Sequence, residues 1–262
     1  MHMGFGFYHP PPVAAEGDPV VRVADLFARA ILPERVRFQG MRADTARFSP
    51  ARTLGSDVAA QLRPHLKAGE YSDLLFYAGS KTDPVGQLGI EVRLREDVRY
   101  RFGDCLLKAD TLESLDAAHQ LVTEVVEVLG SPYAFVVLGE SPVVVLSEVG
   151  ATPVRPWDAP EADSEEDERL FRIQDARPEL GDRIRGAAWG LFLGPALIEA
   201  LGGPGRVMAE APVPAIERKA NGVLYLQVSR QPQLLGTAEY RHSIRRFEEY
   251  LKPVMSNQVF AD

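Results

Sequence analysis

Residues 185–203, RGAAWGLFLGPALIEALGG, constrain the fold of this chain more than any other stretch. Residues 187–193 are almost continuously apolar and aromatic, the pattern of a strand buried on both faces. Gly194-Pro195 ends the run, and Pro195 sits where a first helical residue belongs, its missing N–H costing nothing there. Residues 196–201 then read as a short helix closed by Gly202-Gly203. A buried strand feeding straight into a docked helix builds a core and carries no chemistry. The stretch is expected to be the central strand of the fold.

Around it, alternating strands and strongly striped helices predict an α+β protein with a mostly antiparallel sheet and long amphipathic helices packed on its faces. The opening to Asp18, rich in Gly and Pro, reads as coil with an anchoring aromatic patch of Phe5, Phe7 and Tyr8. Residues 21–31 and 55–67 read as helices, the second kinked or shortened by Pro64. Residues 36–39, 73–78, 88–95 and 98–108 read as strands. Leu88, Ile90, Val92 and Leu94 alternate with charged or small neighbours, which predicts one buried and one wet face.

The clearest helix is 111–129, with Leu112, Leu115, Ala118, Val122, Val125 and Leu129 as its stripe. Asp110 and Glu113 have the spacing of a capping box, and Gly130 with Pro132 ends the helix. Residues 133–138 and 143–146 are apolar, β-rich runs. Further on, 214–218 and 222–229 read as strands. The closing helix, 237–251, carries Tyr240, Ile244, Phe247 and Leu251 on one stripe.

Charge divides the chain unevenly. Of a net charge of −8, seven negative charges fall within residues 158–168: Asp158, Glu161, Asp163, Glu165, Glu166, Asp167 and Glu168. The rest is nearly neutral. With no clustered Lys and Arg to meet phosphate, nucleic acid is not an expected partner. Residues 150–183, acidic and proline-rich, read as a linker or long loop. They separate an N-terminal α+β region, 1–149, from a C-terminal one, 184–262; the two form either separate domains or one continuous domain. No apolar run approaches 18 residues, so no membrane span is expected, and the first dozen residues lack the pattern of a signal peptide. A single cysteine, Cys105, fits a reducing, cytoplasmic setting.

Candidate chemistry is sparse. Gly139-Glu140-Ser141-Pro142 follows an apolar strand and hints at the turn that presents a hydrolase nucleophile. That motif needs a second glycine two residues after the serine, where this chain has Val143, so a turn between two strands is expected instead. None of the histidines (His2, His9, His65, His119 and His242) has a partner at the one-turn spacing of a helical metal site. Gly202-Gly-Pro-Gly205 follows a helix, whereas a dinucleotide loop follows a strand. Asp104 with Asp110, and Glu239 with Glu248, can be drawn as carboxylate pairs, but spacing alone brings neither pair onto a common substrate. No catalytic residue, metal site or cofactor is expected.

Trp189-Gly-Leu-Phe-Leu-Gly-Pro195, then Leu197 and Leu201-Gly-Gly203, resemble the bacterial type VI immunity family. The resemblance continues through Gly222-Val-Leu-Tyr-Leu226 and the last helix, from Tyr240 into Leu251-Lys-Pro253, covering about 65 residues. It implies a stoichiometric inhibitor that binds and neutralises one cognate toxin and performs no chemistry. An acidic inhibitor suits a basic toxin, for example one acting on nucleic acid. Asp163, Glu165, Glu166, Asp167 and Glu168 are the expected toxin-steering residues, since clustered charge of one sign accelerates encounter. The alternative is a small cytoplasmic hydrolase using Ser141.

Overall fold

A computed structural model describes residues 1–10, 19–31, 35–79, 84–92, 99–150, 172–173 and 176–257. Ten strands form one sheet: β1 (His2–His9), β2 (Arg37–Arg42), β3 (Arg52–Thr53), β4 (Tyr71–Gly79), β5 (Pro84–Glu91), β6 (Arg101–Lys108), β7 (Tyr133–Gly139), β8 (Gly190–Leu193), β9 (Ala215–Arg218) and β10 (Leu224–Gln227). Their order is β3-β2-β4-β5-β6-β1-β7-β8-β10-β9, and every pairing is antiparallel. Seven α-helices accompany them among the described residues: α1 (Pro19–Ile31), α2 (Val58–Lys67), α3 (Leu112–Leu129), α4 (Pro142–Gly150), α5 (Pro195–Ala200), α6 (Pro204–Glu210) and α7 (Ala238–Leu251). The fold is α+β. Because β7 pairs with β8, one sheet runs through both the N-terminal and the C-terminal regions.

The middle of the sheet differs from the expected one. β8 is fully buried and flanked by β7 and β10, yet it covers only four residues and lies towards one end. The middle is held by β1 and β6, and β1 is the glycine-rich opening that reads as coil. Gly4 and Gly6 obscure its alternation. A Cβ on Gly4 would come within 2.3 Å of Val145, and one on Gly6 within 2.4 Å of the Phe135 ring. Glycine is needed there because α4 and a neighbouring ring lie against the backbone. The other side of β1 carries Met3, Phe5 and Phe7, none of them exposed.

Two faces follow from the register. Met3, Leu107 and Gly86 stand in one row, and Gly86 opens towards Phe27 and Ile31 of α1. Phe192 and Tyr225 lie on that same face through Phe7 and Ala134, and His119 of α3 packs on both rings. Helices α1 and α3 therefore cover one face, and α4 lies on the opposite one.

Two local expectations are corrected. Residues 143–146 are not a strand: Pro142 opens α4, its ring pre-set for a first helical turn, and this overrides three consecutive valines. At the start of α3 the cap is Thr111 with Ser114, not Asp110 with Glu113. The Thr111 side chain accepts from the Ser114 N–H and the Ser114 hydroxyl accepts from the Thr111 N–H. Asp110 instead accepts from the N-terminal amine at 3.0 Å. Thr111→Ala should therefore cost about 1 kcal/mol in chemical denaturation. Asp110→Ala should cost clearly less, and the reverse ranking would restore Asp110 as the cap. Of the helices expected from sequence, α7 matches its stripe, with Tyr240, Ile244, Phe247 and Leu251 buried, and α2 begins at Val58, capped by Asp57, with Pro64 inside it; α6 (Pro204–Glu210) stands where no helix is expected.

Candidate interaction surface

Strands β2, β4 and β5 bury one face only. Phe38, Leu74, Phe76, Ala78, Leu88 and Ile90 point to the helical side and are buried. On the other side Gln39, Met41, Asp73, Leu75, Tyr77, Gln87, Gly89 and Glu91 remain half-exposed. This is the wet face expected from the alternation in 88–95, of which residues 93–95 lie outside those described. Helix α4 packs on β1, β6 and β7 of the same side and bounds the open area.

The register arranges the open face in rows. One runs Arg37, Tyr77, Gln87, Leu106; the next Gln39, Leu75, Gly89, Asp104, Gly6; the third ends on Phe102 and Tyr8. At the end of the third row, Glu91 accepts from the Phe102 N–H at 2.8 Å and from Arg177 at 2.5 Å. The Arg177 guanidinium lies over the rings of Phe102 and Tyr8, at 5.0 and 5.1 Å from their centroids. Burial raises the Tyr8 hydroxyl above its usual range, with Arg177 opposing. This group is a brace, holding the turn around Ala176–Leu180 against the sheet.

Asp104 is different. Burial pushes its carboxyl up to about 6, its own and the Gly89 backbone N–H groups oppose the shift, and nearby Glu91 adds to it. Among the described residues no cation pairs with it. Asp110, drawn with Asp104 as a possible carboxylate pair, faces Lys108 at 3.6 Å and the chain's amine instead. The two do not meet on a common site.

Elsewhere, a second brace ties α4 to the 184–188 segment. Arg185 donates to the Glu148 carboxylate and to the carbonyls of Glu148 and Val149, at 2.7 and 3.2 Å for the carbonyls. Its guanidinium lies 4.2 Å from the Phe135 ring centre. On the helical side, a 490 Å³ cavity with mixed charges opens between α1 and α3, lined by Arg22, Asp25, Arg29, Glu124 and Glu127 among others.

The sequence-predicted residues fare unevenly. Asp163, Glu165, Glu166, Asp167 and Glu168 lie outside the described residues. Ser141 is described, and the turn between two strands expected there is instead a strand-to-helix turn from β7 into α4. That is half of what a nucleophile elbow needs. The other half is a strained serine backbone, and the non-glycine residues with positive φ among those described are Ala46 and Asn221. The Ser141 hydroxyl accepts from the Val144 N–H at 3.5 Å, in the position of a helix cap. Among the described residues no group of three His, Cys, Asp or Glu side chains could hold a metal ion, and no helix is long and apolar enough to cross a membrane. Reasoning from sequence missed Arg177, Arg185 and Glu148, whose partners lie tens of residues away and leave no local signal.

No family model matches the chain, and no curated protein does. Among solved structures, the chain is similar to the Pseudomonas aeruginosa T6SS protein PA0821, at 15% identity and a TM-score of 0.60. The match covers 97% of this chain and 73% of that one. At that identity the likeness shows the fold alone, shared over nearly the whole of this chain.

Proposed function

We propose that this chain is a type VI immunity protein, a stoichiometric inhibitor that binds and neutralises a cognate toxin and performs no chemistry of its own. The observation that carries the reading is the open face of β2, β4 and β5. A sheet that keeps apolar Leu75, Met41 and Tyr77 half-exposed beside the carboxyl groups of Asp73, Glu91 and Asp104 has the composition of a recognition surface. The type VI setting of the solved protein that shares the fold adds support, as does the C-terminal resemblance in sequence. The partner is a protein, basic where it meets this chain, and the place of action is the cytoplasm.

Co-expression with the product of the adjacent gene tests this. Growth should be rescued and a stoichiometric complex should co-purify; if that product is neither toxic nor bound, the immunity reading fails. Changing Glu165, Glu166, Asp167 and Glu168 together to amides should lower the association rate and its salt dependence, with a smaller change in dissociation. A rate indifferent to both would remove the acidic run from the encounter. The strand-to-helix turn at Ser141 favours one rival, a hydrolase. Ser141→Ala should leave protection intact, and loss of a measured hydrolytic activity in that variant would favour the rival.

A further inference from the structure

We propose that the Asp104 carboxylate anchors the open sheet face by receiving one basic side chain, lysine or arginine, from the protein partner. The inference rests on reading that face as the interaction surface and names the chemistry it recognises.

The geometry begins with the row Gly6, Asp104, Gly89. A Cβ on Gly89 would lie 2.1 Å from the Asp104 Oδ1, so only glycine lets the carboxylate lie down against β5. There the Gly89 backbone favours its ionised form. On the other flank the space above Gly6 is filled by the rings of Phe135 and Phe102. The carboxylate thus sits between an aromatic wall and bare backbone, with Leu75 beyond Gly89 in the same row.

Arg177, from the turn beside this face, is committed to Glu91. Among the described residues Asp104 has backbone dipoles and no countercharge. Folding has already removed much of its hydration, the cost that makes most buried ion pairs break even. A cation arriving from outside therefore gains Coulomb attraction in a reduced dielectric without that cost on the carboxylate's side. Half-exposed Leu75 and Tyr77 beside it would exclude water once covered, as the surroundings of a strong interface contact do. The raised carboxyl is what an uncompensated, desolvated acid should show.

The test needs no toxin. A capped pentapeptide with one central arginine is titrated into the full-length protein and followed by backbone amide NMR, with the citrulline peptide as its uncharged isostere. Amide shifts at Asp104, Gly89 and Leu75 should appear with arginine and not with citrulline. Charged or titratable groups around the site are Glu91 on β5, Asp73 on β4, Tyr8 on β1 and Arg177 from the adjoining turn. With the Asp104 carboxyl at about 6, binding should be about tenfold weaker at pH 5 than at pH 7.5. Asp104→Asn should abolish both the response and its pH dependence. Equal responses to the two peptides, no response to either, or an unchanged response in Asp104→Asn would overturn the proposal. The citrulline and pH comparisons use the unaltered protein, so they stand even if the variant folds poorly. Failure of co-expression rescue would sink the immunity reading and leave this result standing, and the reverse also holds.

Discussion

Arg185→Met should destabilise the protein by about 3–5 kcal/mol, the range for breaking a buried ion pair by removing one partner. Arg185 and the Glu148 side chain are only 5% and 9% exposed. The guanidinium also closes the C-terminal end of α4 by donating to two of its last carbonyls, where the helix dipole favours positive charge. Removing it takes from the buried Glu148 carboxylate the positive charge that Arg185 supplies, and from two carbonyls the guanidinium donor. Arg185→Met combined with Glu148→Leu should recover most of the loss, because the cost of burying the carboxylate goes too. Urea denaturation of the two single variants and the double variant measures the coupling. Should the double variant lose the sum of the two single losses, the pair is uncoupled and the brace is a packing contact only. The consequence reaches the interaction face, since α4 borders it.

What the sequence made legible was local. The stripes of α3 and α7 and the alternation of β5 are written at fixed spacings, and each side chain's burial follows from its position. β1 escaped because its outward row is glycine, which reads as flexibility when the cause is close approach by Val145 and Phe135. Helix α4 escaped because three valines in a row suggest a strand, while the Ser141-Pro142 start that decides the matter is two residues long. The same limit applies to the site. Asp104 could be seen in sequence, but its glycine neighbours come from β1 and β5, and nothing nearby in the chain announces that they stand beside it. Arg177 and Glu91 are separated by 86 residues. The candidate site depends on register, and register is set by the whole sheet.

Between pH 6 and pH 4 the stability of the unaltered protein should fall less steeply than that of Asp104→Asn. Groups of opposite sign cause this: buried His9 and His119 on one side, Asp104 on the other. His9 is buried beside Arg101, and burial first, then that charge, holds it down to about 4. Its ordinary value in the unfolded chain is near 6.5, so the unfolded state binds the extra proton first. Stability linked to His9 is present above pH 6.5 and lost as pH falls towards 4, about 3 kcal/mol in all. Asp104 runs the other way. Its folded value of about 6 lies above the ordinary carboxyl range, so the folded state takes up the proton first. The penalty for keeping it ionised is present above pH 6 and relieved as pH falls through 6 towards 4. That relief amounts to about 2 kcal/mol after allowance for its partial exposure. The relief at Asp104 offsets part of the loss at the histidines. Asp104→Asn removes only the penalty at Asp104, so at pH 7 it should be more stable than the unaltered protein by about 2 kcal/mol. On acidification that advantage should disappear. Thermal melts of both proteins from pH 7.5 to pH 4 give the curves. A variant whose stability declines no faster than the parent's would mean that Asp104 is well solvated, and the argument for its role as an anchor would go with it.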